Sequence, residues 1–240
     1  MRTSRFFINE PLTAGSEVAL DEKQAHYVSK VLRLARGSEI VLFNGDGHDY
    51  RCRLEIVSRG STRALVMEPM VNATESPLRV TLSQALCRGE RMDYCLQKST
   101  ELGVACVQLL YSERVELRLE GDRLERRLEH WRGVIQSASE QCGRATVPEL
   151  RPPISLDGWA ALPGPRLVLD AGAGSSLAPI ARRDEVDFAV GPEGGFSQAE
   201  LERLGRAGVI AVRLGPRVLR TETAGPAAIA VLQALAGDLA

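Results

Sequence analysis

The residues best suited to chemistry lie in the last fifty positions. Gly191-Pro192-Glu193-Gly194-Gly195-Phe196-Ser197 follows the apolar run Phe188-Ala189-Val190. Leu214-Gly215-Pro216-Arg217-Val218-Leu219-Arg220-Thr221-Glu222-Thr223-Ala224 follows Ile210 to Arg213. A buried strand that opens into a glycine-rich loop at its carboxyl end is where α/β proteins hold ligands. Glycines there let backbone groups approach a ligand with no Cβ in the way. Each loop alone reads as an ordinary strand-to-helix turn with surface charges. Together they frame Glu193, Arg217, Arg220 and Glu222 with glycines and threonines, which reads as one composite site. A cation in such a site can hold a developing oxyanion. A carboxylate can serve as general base if burial brings its pKa toward the working pH. Glu222 also falls in the first turn of a helix, where a carboxylate is stabilised anyway.

The elements that must carry these loops follow from periodicity. Ser38 to Phe43 and Arg51 to Val57 read as strands on either side of the turn Asn44-Gly45-Asp46-Gly47. A short helix is expected around Lys23 to Leu34, and the first seventy residues read as a small β-barrel. The pattern breaks between Glu68 and Pro77, so the boundary is placed at 1–72 and 73–240. Beyond it, strands are expected at Arg79–Ala85, Val104–Leu110, Arg166–Leu169, Val186–Val190 and Val209–Leu214. Helices are expected at Met92–Leu102 and Asp122–Glu140, from Ser197, where Glu200 completes a capping box, and from Thr223. Strands alternating with helices argue an α/β domain with a mostly parallel sheet. The helix Ala224 to Leu232 is apolar nearly all round, which calls for burial inside the subunit or against a second copy.

Bulk properties exclude several classes. The 240 residues are 44% hydrophobic and 25% charged, with a formal net charge of −1, so the chain as a whole is not a basic nucleic-acid glue. No uncharged apolar run is long enough to cross a bilayer, and Met1 to Phe7 lacks the apolar stretch of a signal peptide. The cysteines are five, scattered, with no CxxC pair, and the three histidines lie far apart; free thiols, a reducing cytoplasm and no metal are expected. Lysine occurs only at 23, 30 and 98, and every other cation is arginine. Arginine suits bidentate phosphate contacts, though a GC-rich genome gives the same bias.

The two C-terminal loops resemble the paired motifs of the bacterial RsmE family, SPOUT-class enzymes that methylate uridine N3 in 16S-type ribosomal RNA. The resemblance extends upstream to Arg5-Phe6-Phe7, His26-Tyr27, Val31-Leu32-Arg33, Gly37 and Leu42-Phe43-Asn44-Gly45. Gln97-Lys98-Ser99-Thr100-Glu101-Leu102-Gly103-Val104, Ser112-Glu113-Arg114 and Glu140-Gln141-Cys142-Gly143-Arg144 also match. It departs at Cys87-Arg88, where a lysine is common, and at Val115, which stands in place of serine. It implies a PUA-like β-barrel followed by a SPOUT methyltransferase domain with a trefoil knot. It also implies S-adenosylmethionine as cofactor, ribosomal RNA or the small ribosomal subunit as partner, and a homodimer with the cofactor pockets at its interface. Another ribosomal or transfer RNA nucleotide is the alternative target.

On this reading the cofactor meets Leu169, Gly191, Pro192, Glu193, Gly194, Gly195, Leu214, Gly215, Leu219, Thr221 and Ala224. Arg220, ahead of Arg217, is expected to hold the uracil oxyanion, and Glu193, Glu222 or Glu101 to take the N3 proton. RNA contacts are expected from Arg5, Lys23, Lys30, Arg33, Arg53, Lys98, Arg114, Arg144 and Arg217, with Arg36 and Arg51 beside them. One competing signal is Val168 to Ser176, which imitates the fingerprint of Rossmann-type methyltransferases, with Glu185 and Asp187 behind it. It lacks the third glycine and leaves too little chain for that fold's strands, so it is expected only to flank the cofactor.

Overall fold

Polar–apolar alternation in the first seventy residues becomes five strands in the computed structural model, which describes residues 3–58, 61–177 and 184–239. They are β1 (Arg5–Phe7), β2 (Glu17–Leu20), β3 (Glu39–Phe43), β4 (His48–Val57) and β5 (Thr62–Val71). The sheet runs β1-β3-β4-β5-β2, with β1 parallel to β3 and the other pairs antiparallel. Alternate side chains Ile40, Leu42, Cys52, Leu54, Ala64 and Val66 point inward and form the core with Phe6, Val18, Leu20 and Val28. Gly45 and Gly47 take φ of 91° and 88° in the β3–β4 turn, where a Cβ would be strained. Helix α1 (Glu22–His26) starts at a capping box of Asp21 and Gln24 and continues as one π-helical turn, Tyr27–Val31.

This first unit comprises residues up to Glu75 together with Ser139–Val147. The returning segment was not foreseen from sequence, because its anchor is a tertiary ion pair. Arg144 is only 5% exposed and donates to both Glu75 carboxylate oxygens, at 2.7 and 3.2 Å. Asn72 Nδ2 donates to the Gly143 carbonyl at 3.0 Å.

The second unit, Ser76–Ala138 and Pro148–Ala240, holds β6 (Arg79–Ala85), α2 (Glu90–Glu101), β7 (Val104–Tyr111) and most of α3 (Gly121–Cys142). Then come β8 (Glu149–Ser155), α4 (Leu156–Ala160), β9 (Arg166–Leu169), β10 (Ser175–Ser176), β11 (Glu185–Val190), α5 (Gln198–Arg206), β12 (Ile210–Arg213) and α6 (Thr221–Ala236). The sheet order is β10-β12-β9-β11-β6-β7-β8 and every pairing is parallel. Strands β7 and β9 are nearly continuous apolar runs, as suits strands covered on both faces, whereas β6 and β11 carry polar side chains that are hydrogen-bonded, Ser83 to Asp187 and Gln84 to Thr221. Strand β8 escapes a sequence reading because Pro152 and Pro153 argue against a strand; it is tolerated as the edge strand, paired only with β7. The Gly172–Gly174 loop runs into β10 rather than into a helix, so it cannot present the helix N-terminus a Rossmann fingerprint requires.

Parallel pairing has one consequence for the site. β12, β9 and β11 are neighbours running the same way, so the loops after Leu169, Val190 and Arg213 leave the sheet at one edge. Helix α6 starts two residues earlier than expected and returns to pack on α2 and β6, burying Gly225, Ala228, Ile229 and Leu232. Gly225 sits there because a Cβ would meet Leu82 at 3.0 Å. No helix among the described residues is long and apolar enough to cross a membrane. No cluster of three or more metal-ligating side chains occurs among them.

Candidate active site

The three loops enclose a cleft of about 430 Å³. Its apolar wall comes from Leu169, Val190, Leu201, Leu214 and Leu219, and its backbone from Gly191, Pro192 and Gly195. Thr221, Glu222 and Ala224 enter from the first turn of α6. The two glycine-rich loops are tied by one hydroxyl. Thr221 Oγ1 donates to the Gly191 carbonyl at 2.6 Å and accepts from Gln84 Nε2 at 2.9 Å. Gln84 is fully buried in β6 and also donates to the Ala85 carbonyl at 3.0 Å.

The glycines have distinct tasks. A Cβ on Gly191 would lie 3.1 Å from the backbone of Gly195 and Phe196, so a larger residue there would push the folded-back loop outward by a few tenths of an ångström. Gly195 and Gly215 have open space around a Cβ but φ of 66° and 75°, the left-handed region. Gly194 packs on the Arg114 side chain. Gly194 and Gly215 shape the loops without lining the cleft.

Charges gather at the cleft. Arg91 Nη1 donates to Glu193 Oε1 at 2.9 Å, the Arg88 backbone amide donates to the same oxygen at 3.2 Å, and Arg91 Nε lies 4.0 Å from Glu222 Oε1. Burial alone would push the Glu193 carboxyl up, but its own backbone amide, the Arg88 amide and Arg91 together hold it below the ordinary glutamate range. Glu193 is therefore kept ionised, contrary to the expectation of a base with raised pKa. Arg217 and Arg220 line the cleft with exposed side chains. Arg91 was missed in the sequence. A cation in the first turn of a helix opposes the macrodipole, and that misfit was the available signal. Asp170 lines the cleft as well, accepting from the Gly172 amide at 3.0 Å.

Arg114 braces the loop. It donates to the Gly194 carbonyl at 2.6 Å and the Phe196 carbonyl at 3.4 Å. Glu113 beside it accepts from Ser197 Oγ at 2.6 Å and from Arg203, and Glu200, buried in the α5 capping box, accepts from the Glu113 amide at 2.8 Å. The expected RNA contact at Arg114 is thus engaged in shaping the cleft.

Other expected site residues lie elsewhere. Glu101 and Lys98 pair with each other at 2.8 Å in the last turn of α2 and do not line the cleft. Arg5 pairs with Asp49, donates to the Arg144 carbonyl at 2.8 Å and lies over the Phe43 ring, while Arg144 holds Glu75. Those two arginines build the first unit. Arg51 and Arg53 are ion-paired along the sheet, at 2.6 Å to Glu68 and 2.8 Å to Glu55. Lys23, Lys30 and Arg33 are exposed. Burial pushes the Cys52, Cys87, Cys95 and Cys106 thiols up, so these cysteines are unreactive core residues.

Two family models match: one described as an RNA methyltransferase domain over residues 74–233, and one described as an RNA methyltransferase PUA domain over residues 20–64. The ribosomal RNA small subunit methyltransferase E of Buchnera aphidicola is 30% identical over 242 residues, covering 99% of this chain and 98% of that protein. Among solved structures, the protein of that name from Neisseria gonorrhoeae bound to S-adenosylmethionine superposes with a TM-score of 0.93 at 37% identity, over 100% of both chains. A Legionella pneumophila protein in complex with bound S-adenosylmethionine superposes with a TM-score of 0.95 at 37% identity, again over 100% of both.

Proposed function

The chain belongs to the ribosomal RNA small subunit methyltransferase E family, and from that membership we propose that it transfers the methyl group of S-adenosylmethionine to N3 of a uridine in 16S-type ribosomal RNA. The observation that carries the proposal is the pair of glycine-rich loops joined through Thr221 around one cleft, with Arg217 and Arg220 on it.

The cleft fits the cofactor. Its volume suits a small-molecule ligand, its wall is apolar enough for an adenine, and Gly191 brings backbone to the cleft where a Cβ would be tight. Leu169, Gly191, Pro192, Gly195, Leu214, Leu219, Thr221 and Ala224 would hold it. S-adenosylmethionine, when bound, supplies the activated methyl group. The protein supplies position and charge. Uridine N3 carries a proton at neutral pH, and its loss leaves negative charge on the uracil oxygens. Arg220, with Arg217 beside it, would hold that charge as the proton leaves. Glu193, held ionised by its own amide, the Arg88 amide and Arg91, serves better as a fixed partner of that arginine than as a base; of the three glutamates expected as base, Glu222 is then the one on the cleft available to the proton.

The knotted path implied by the resemblance is our reading of the carboxyl end. Its support is that β12 takes the outer side of β9 while α6 returns to β6 and α2. We place a second copy of the chain against α2 and α6, where Tyr94 on α2, Leu235 on α6 and Leu239 just after it stand about half exposed; sedimentation as an active monomer would refute this. Ribosomal RNA as substrate puts the protein in the cytoplasm. The function is tested by mapping modified nucleotides in small-subunit RNA from a deletion strain. One uridine should lose its base methyl group and regain it when the gene is restored. An unchanged pattern refutes the proposal.

A further inference from the structure

The loop after β9 brings to the cleft a carboxylate that the proposed mechanism does not use. Asp170 is the first residue beyond Leu169 and lines the cleft with Ala171. Three hydrogen bonds fix it there. Its amide donates to the Val212 carbonyl at 3.0 Å, its carbonyl accepts from the Ala173 amide at 3.1 Å, and its Oδ1 accepts from the Gly172 amide at 3.0 Å. An aspartate that shapes a turn needs only that last bond. Its second oxygen, Oδ2, has no hydrogen-bond partner among the described residues, and the carboxylate enters no ion pair among them. The other two carboxylates on the cleft are placed differently: Arg91 donates to Glu193 at 2.9 Å and lies 4.0 Å from Glu222.

The sheet order sets these charges apart. β11 separates β9 from β6, and the helix that follows β6 carries Arg91. The group of Arg91, Glu193 and Glu222 therefore lies on the β6 side of the cleft. Asp170 lies on the side of β9 and β12, whose ends bring Leu169 and Leu214 to the apolar wall. S-adenosylmethionine divides in the same way. Its amino-acid end is a zwitterion, suited to the paired charges. Its nucleoside end offers an apolar base and the 2′ and 3′ hydroxyls of one ribose, two adjacent uncharged donors. An ionised carboxylate accepts at both oxygens, and hydrogen bonds to it are the strong ones. Dinucleotide-binding folds also set an acidic side chain on a ribose hydroxyl, from a later position in the chain. We infer that Asp170 receives the ribose diol of the cofactor, at Oδ2 and the remaining lone pair of Oδ1. It thereby selects a ribonucleoside and sets its orientation in the cleft. The inference rests on the cofactor reading above.

The test is calorimetry of the full chain with S-adenosylhomocysteine, the demethylated cofactor, and with its 2′-deoxy, 3′-deoxy and α-deamino analogues. Wild type should bind each deoxy analogue about tenfold or more weakly than the parent, the worth of a hydrogen bond to a charged group. Asp170→Asn keeps an oxygen for the Gly172 amide, so it should melt like wild type, but its amide nitrogen cannot accept. The variant should bind the parent about tenfold more weakly, and its penalty for the deoxy analogues should fall to about threefold or less. Loss of the amino group should weaken wild type and variant by the same factor. Wild-type affinity in Asp170→Asn would overturn the inference and leave Asp170 as a turn former. A variant that penalises the deoxy analogues as wild type does would also overturn it. So would a variant indifferent to the amino group, which would place the ammonium at Asp170. A wild-type chain that binds neither S-adenosylhomocysteine nor S-adenosylmethionine would overturn the cofactor reading and this inference together, whereas the other failures leave that reading standing.

Discussion

Replacing Thr221 with valine removes a single hydroxyl and nearly preserves shape, so it isolates the link between the two cofactor loops. In the wild type that oxygen donates to the Gly191 carbonyl at 2.6 Å and accepts from Gln84 at 2.9 Å. In the variant, one N–H of the fully buried Gln84 amide loses its acceptor, while the bond to the Ala85 carbonyl remains. A buried unsatisfied donor costs about 1–3 kcal/mol, so unfolding stability should fall by about 2 kcal/mol. The Gly191 carbonyl loses its fixed donor, and the loop must be re-ordered when ligand binds. That is worth about one net hydrogen bond, ~1 kcal/mol, or about fivefold in Kd. Urea denaturation gives the first quantity, provided the slope is unchanged, and calorimetry with S-adenosylmethionine gives the second. Thr221→Ser should restore both. If stability falls and cofactor affinity does not move, Thr221 is a packing residue and the loops are not coupled through it.

Arg220→Ala should lower the single-turnover methylation rate on the order of a hundredfold with little change in S-adenosylmethionine affinity, and Arg220→Lys should recover only part of it because the planar fork is lost. Affinity lost in proportion to rate would assign Arg220 to binding instead. Gly195→Val or Gly215→Val places a β-branched residue at positive φ and should abolish cofactor binding by calorimetry while circular dichroism shows the fold intact; unchanged affinity in both removes these loops from the site. Burial pushes the Glu75 carboxyl up, but Arg144 and Thr146 more than offset this and hold it below the ordinary glutamate range. Its stabilisation is therefore present above the unfolded pKa of about 4.3 and lost as pH falls through the lower folded value. Glu75→Gln should cost about 2 kcal/mol at pH 7 and make stability less sensitive to acid, as read by denaturation at several pH values.

What could be read from the chain was what local spacing decides. Ser197 and Glu200 fix the start of α5, and both glycine-rich loops follow the short apolar runs that mark β11 and β12. What could not be read was settled by residues distant in sequence. Arg5 and Arg144 look like RNA contacts until Asp49 and Glu75 are seen beside them. Arg114 looks like a surface cation, yet it holds carbonyls 80 and 82 residues away. Arg91 stands at a helix start that disfavours it, and only the fold supplies Glu193. The same limit applied to β8, whose prolines are tolerated because only one of its edges is paired.

The most direct test of the account is reconstitution with purified protein, S-adenosylmethionine carrying a labelled methyl group, and small-subunit ribosomal RNA from a strain lacking the enzyme, followed by digestion to nucleosides and mass spectrometry. The account predicts labelled 3-methyluridine, absent with Arg220→Ala on the same time scale. Label on ribose, on another base, or nowhere in that RNA would contradict it.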